Sequence, residues 1–149
     1  MEHKELLGTW KLVSAEYRRK SGEVIEIYGA NPMGQLTYDA DGNMSIQIMR
    51  QGRPMFAVAD RLGGTPDEKK AALEGYLAYF GTFTINEEKK SVTHHIQGSL
   101  LPNWVGIDQV RFFEVMGDRL TLRTPSLMIG GQEAAGQIVW ERKGNSDGN

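Results

Sequence analysis

The chain has 149 residues, 40% of them hydrophobic and 24% charged, with 17 basic and 19 acidic side chains and a net charge of −2. This suits one globular domain, expected over 1–143 with an unstructured tail at 144–149, and it lacks the basic footprint of a nucleic-acid binder. Zero cysteines exclude disulfides, thiolate metal sites and a thiol nucleophile. An N-terminus without a signal peptide's apolar stretch, and no apolar run long enough to span a bilayer, point to a cytoplasmic protein without a membrane span.

Eighteen glycines punctuate short β-prone runs, the pattern of an antiparallel meander. The first strand is expected at 9–18 and turns through Lys20-Ser21-Gly22 into 23–28. Strands 34–39 and 43–50 flank Asp41-Gly42, a strong hairpin signal. A weaker strand follows at 54–59. One helix begins after Thr65, where Thr65 and Glu68 make a capping box and Pro66 takes the first helical position. It is expected to run to about residue 78, with Ala72, Leu73, Tyr76 and Leu77 as its apolar stripe. Strands 79–86, 91–99, 107–115, 119–124 and 136–142 complete the series.

Ten antiparallel strands in sequence predict an all-β fold, a closed up-and-down antiparallel β-barrel with one short helix near its mouth. An even count brings the first and last strands together antiparallel and removes the sheet edges. The parity places 29–33, 51–53, 87–90 and 116–118 at the closed end. It places the helix, 100–106 and 125–135 at the mouth.

Side chains alternate across a strand. Val92, His94, Ile96 and Gly98 share one face, and Thr93, His95 and Gln97 the other. The apolar set should point inward, so His94 is expected inside and His95 outside. Arg111 shares a face with Phe113 and Val115, and a loop closed over 99–106 sets it opposite His94. A buried arginine needs an anionic partner. Glu16 is the internal candidate, because Trp10, Leu12, Ser14 and Glu16 alternate together; a ligand anion is the other. Leu36, Tyr38, Met44, Ile46, Ile48, Tyr79, Phe83, Leu120, Leu122 and Ile138 should also line the interior, with Tyr38, Met44 and Tyr79 near the mouth. Asn103 and Trp104 fall in the mouth loop.

Gly8-Thr9-Trp10 resembles the Gly-x-Trp signature of lipocalins, and Trp140-Glu141-Arg142 ends the last strand. The resemblance implies that Arg142 packs across Trp10 at the closed end, a structural pair. Leu7 to Trp10, Tyr38 with Asp41-Gly42, Tyr79 to Thr82, Thr93-His94-His95, Pro102-Asn103-Trp104, Gly117 to Leu120 and Trp140 to Arg142 are together similar to the bacterial and fungal lipocalin-like domain family. That family resemblance implies a barrel with an internal pocket. Barrels of related type include carriers and some cyclases or isomerases.

The leading expectation is a protein that binds a small, mostly apolar molecule, with Tyr38, Met44, Tyr79, Phe83, His94, Asn103, Trp104 and Arg111 as ligand-binding candidates. A carboxylate, enolate or phenolate on that molecule would pair with Arg111. The alternative is a cofactor-independent cyclase or isomerase working by acid–base or electrostatic catalysis, with His94, Arg111 and Glu16 as catalytic candidates. His94 reads equally well as a hydrogen-bonded interior residue. No metal or other cofactor is called for: His94 and His95 diverge and cannot chelate one ion. A third reading, a structural or dimerising module with a filled barrel, stays open, and with it a homodimer.

Overall fold

The computed structural model describes residues 4–144. The part of the expected unstructured tail from residue 145 onward lies outside the described residues. The strands are β1 (Gly8–Arg19), β2 (Val24–Ile25), β3 (Met33–Tyr38), β4 (Asn43–Met49), β5 (Tyr76–Asn86), β6 (Ser91–Ser99), β7 (Asp108–Met116), β8 (Arg119–Arg123), β9 (Leu127–Ile129) and β10 (Gln132–Arg142). Eight of them, β1-β3-β4-β5-β6-β7-β8-β10, form an antiparallel ring that closes where β10 pairs with β1. β2 and β9 are short additions riding on β1 and β10.

The barrel therefore closes with eight staves rather than ten. The run at 23–28 contributes only Val24–Ile25. The run at 54–59 stays in a loop, because β4 already pairs along its length with β5, from Asn43↔Thr82 to Met49↔Tyr76, and leaves no slot between them. Losing both staves keeps the count even, so the chain ends still meet antiparallel. It also reverses β3 and β4 relative to the expected directions. Gly8 lies opposite Tyr38, and Tyr38 opposite Met44. Tyr38 and Met44 thus belong to the closed end beside Trp10, not to the mouth, and the segments at 29–33 and 51–53 move to the mouth.

The helix, α1 (Pro66–Glu74), has the capping box in place: Thr65 Oγ1 accepts from Glu68 N at 3.1 Å, and Glu68 Oε1 accepts from Thr65 N at 2.8 Å. It ends at Gly75, and Tyr76 and Leu77, expected on its apolar stripe, open β5 instead. The helix buries no residue; it lies over the surface near the mouth.

The register of β1 against β10 shifts between Leu12 and Ser14. This bulge inserts one residue and exchanges the faces beyond it. Trp10 and Leu12 point inward, and so do Ala15 and Tyr17, all buried. Glu16 shifts to the outer face, where it pairs across from Gln137. At the closed end Trp10, Leu36, Tyr38, Leu120 and Trp140 are fully buried, each large side chain contributing about 1.5–3 kcal/mol. The Arg142 guanidinium lies 4.2 Å from the Trp10 ring centroid. It also donates to Leu7 O at 2.7 Å and Glu5 O at 2.6 Å, while Trp10 Nε1 donates to Leu6 O at 3.0 Å. The cation stacks on the indole and ties the N-terminal turn under the barrel.

Candidate functional site

Above this packed end the barrel holds a cavity of about 190 Å³. Its walls are apolar, with Ile46, Ile48, Leu77, Leu122 and Ile138 from the staves. Leu101 and Trp104 from the loop between β6 and β7 cover one side, and β9 another. Trp104 meets Tyr79 edge-on, ring centroids 5.8 Å apart. Against these walls the polar groups are few: Tyr17, Tyr28, Tyr79, His94, Arg111 and Thr124.

His94 is buried on the inner face of β6. The Tyr38 hydroxyl lies 2.6 Å from its Nε2 and the Tyr79 hydroxyl 2.7 Å from its Nδ1. Burial, then the charge of Arg111, then His95, lower its pKa to about 3. The imidazole is therefore neutral at physiological pH. Burial also pushes the Tyr79 hydroxyl up to about 12, although Arg111 opposes the shift. Tyr38 is raised well above the usual range, chiefly by burial. Tyr17 and Tyr28 are raised for the same first reason.

Arg111 is buried in the cavity wall. In register it faces Val92 while His94 faces Gln109, so the two are diagonal neighbours on one face rather than directly opposite. Nη1 donates to Gln109 Oε1 at 3.2 Å and to Val110 O at 2.9 Å. Among the described residues no carboxylate comes within 4.0 Å of it, and no acidic residue lines the cavity. Glu16, the expected internal partner, is on the outer face. The charge faces the cavity without a counter-ion among the described residues.

Of the other candidates, Tyr38, Met44 and Phe83 pack beneath the cavity without lining it. Phe83 lies edge-on to Tyr38 at 4.7 Å. Asn103 is exposed on the mouth loop and Trp104 alone of that pair reaches the cavity. Tyr17, Tyr28, Thr124 and β9 are wall residues that sequence alternation missed. The bulge hid Tyr17, and the segments carrying Tyr28 and β9 have no regular period. Outside, His95 Nδ1 lies 2.9 Å from Asp108 Oδ1 and Nε2 lies 2.9 Å from Thr84 Oγ1. His95 and Asp108 are directly opposed in register, a cross-strand pair on the solvent face. Among the described residues no group of three or more His, Asp or Glu gathers to hold a metal ion. No described helix is long and apolar enough to cross a membrane.

An eight-stranded up-and-down barrel, plugged at one end and hollow beneath a loop-covered mouth, defines the class of β-barrel binders of small molecules. The chain belongs to the lipocalin-like domain family, whose model matches residues 7–143. It is also similar to a 4'-hydroxy-3'-methoxypropiophenone carrier protein of Aspergillus oryzae. The two are 36% identical over 106 residues, 66% of this chain and 96% of that protein.

Proposed function

We propose that this protein binds and carries a small, mostly apolar molecule bearing one carboxylate, enolate or phenolate oxygen, held inside the barrel. The observation that carries this reading is the buried Arg111 facing an otherwise apolar cavity without a carboxylate. Burying a cation this way is unfavourable unless something anionic completes it. Size supports a single-ring ligand: an apolar cavity of about 150 Å³ is enough for benzene, and this one is about 190 Å³. The similar carrier protein is named for one aromatic ring with a hydroxyl, a methoxy group and a short ketone chain, a molecule of that scale.

The test is a titration with 4'-hydroxy-3'-methoxypropiophenone, followed by calorimetry and by tryptophan emission, to which Trp104 and Trp140 in the cavity wall contribute. Saturable one-to-one binding, weakened in Arg111→Gln, is expected. The absence of saturable binding for this and other single-ring phenols and carboxylates would sink the reading.

The cyclase or isomerase reading draws support from the same arginine, which could stabilise an enolate electrostatically. It receives none from proton transfer. His94 has both ring nitrogens engaged and a pKa near 3, which makes it a weak base at neutral pH. Glu16 points away from the cavity. Conversion of a bound enone probe into an isomer would reverse the order of the two readings.

A further inference from the structure

We propose that Tyr38, His94 and Tyr79 form a one-way hydrogen-bond chain that leaves the Tyr79 hydroxyl hydrogen for the cavity. With Arg111 it makes a donor site that selects a ligand by an acceptor oxygen: ketone, enolate, phenolate or carboxylate. The inference rests on the reading of the cavity as a ligand site and names what that site recognises.

A neutral imidazole has one N–H and one bare nitrogen. Both nitrogens of His94 face a tyrosine hydroxyl, at 2.6 Å for Tyr38 and 2.7 Å for Tyr79. One tyrosine must donate to the bare nitrogen, and the other must accept from the N–H. Tyr38 is fully buried, does not line the cavity, and has no other hydrogen-bond partner among the described residues. If it accepted, its own hydrogen would be buried without an acceptor, an arrangement folded proteins avoid. Tyr38 therefore donates to Nε2. The His94 proton sits on Nδ1 and is donated to the Tyr79 oxygen.

Tyr79 is left with a hydroxyl hydrogen that no described residue accepts, and Tyr79 lines the cavity. A second proton on His94 would break the chain. Burial and the Arg111 charge exclude it at neutral pH by holding the pKa near 3. Tyr79, raised to about 12, keeps its hydrogen. Arg111 adds a cation with Nε and Nη2 free of protein acceptors among the described residues. Trp140 also lines the cavity, but its indole N–H is buried away from it and adds no donor there. The hydroxyls of Tyr17, Tyr28 and Thr124 can act either way. The fixed polarity comes from Tyr79 and Arg111: donors set in advance toward one oxygen, in the manner of an oxyanion site. Tyr38 never touches the ligand; it is a positioning residue acting through His94.

Two measurements on the full chain test this. Long-range ¹H–¹⁵N correlation spectra of the ligand-free protein report the His94 tautomer; Nδ1–H with bare Nε2 is expected, and Nε2–H would overturn the proposal. Binding is then compared for propiophenone and propylbenzene, of similar size but with and without the carbonyl oxygen. The wild type should favour propiophenone about tenfold or more, the effect of one well-placed hydrogen bond. Tyr79→Phe should lower that ratio several-fold, leaving what Arg111 alone contributes, and Tyr38→Phe should reduce it less while mixing the His94 tautomers; an unchanged ratio in Tyr79→Phe would overturn the proposal. Equal affinities in the wild type would overturn the donor site while leaving the cavity a binding site. Binding of neither probe would overturn both.

Discussion

Replacing Arg111 by methionine should stabilise the fold and weaken ligand binding together. The side chain is 7% exposed, so its charge is largely desolvated, at a cost of several kcal/mol. Within the wall that cost is offset only in part. There are two hydrogen bonds, both from Nη1, to Gln109 Oε1 and Val110 O, worth about 1.5–3 kcal/mol each. Both bonds are only partly buried, and without the guanidinium the acceptors are left for water in the cavity. Methionine removes the desolvation term and adds apolar burial. The balance favours it by about 1–2 kcal/mol, or about 2–8 °C in Tm for a chain of this length. An arginine satisfied by a buried carboxylate would behave oppositely, losing about 3–5 kcal/mol. Differential scanning calorimetry reads the sign directly. In parallel, affinity for an anionic single-ring probe should fall about 10- to 150-fold, the loss of one charge-assisted hydrogen bond. A fall in Tm of more than about 6 °C would refute the reasoning, because it would mean that the wall itself completes Arg111.

Three further outcomes follow from other parts of the barrel. The His94 pKa is near 3 in the folded protein against an ordinary 6.5, so between those values the unfolded chain holds a proton that the folded chain does not. Its contribution is full above about pH 6.5 and declines as pH falls toward 3, by up to about 1.4 kcal/mol per pH unit. Urea midpoints of wild type and His94→Gln should diverge in slope between pH 7 and pH 4.5, and parallel curves would remove His94 as the source. Arg142→Ala should cost about 2–4 kcal/mol, through the stacked cation and its two carbonyl bonds. Urea denaturation measures it, and probe affinity at low temperature should be unchanged. Opposite the extra residue of β6, Gln97, a Cβ on Gly81 would overlap the His95 carbonyl, so Gly81→Ala should cost more than about 3 kcal/mol or fail to yield soluble protein on expression.

Much of the barrel was legible because its signals are local. Asp41-Gly42 forms its turn, with Gly42 at φ +89°, and the capping box holds α1. The opposite facing of His94 and His95 needed only strand alternation, a rule that works wherever the pairing is regular. It failed at the bulge between Leu12 and Ser14, where one inserted residue sent Tyr17 inward and Glu16 outward. No local pattern announces such an insertion; β1 bends there to pair with β3 below and β2 above, a demand set by the closed ring. The strands expected at 23–28 and 54–59 failed for a related reason. Their composition suits a strand, but staves are allotted by pairing partners, and β1, β3, β4 and β5 were already contiguous. The reversed directions of β3 and β4 then carried Tyr38 and Met44 to the opposite end. The Tyr38–His94–Tyr79 chain joins three separate staves, and so could not be read from spacing.

The seam between β1 and β10 has a kinetic meaning as well. It joins Trp10 to Arg142, nearly the two ends of the described residues, so it is the strand pairing with the longest loop to close. During synthesis, β1 must wait until β10 has left the ribosome before its final partner exists. Until then the growing sheet has two open edges and an uncovered Trp10, the features that invite association between nascent chains.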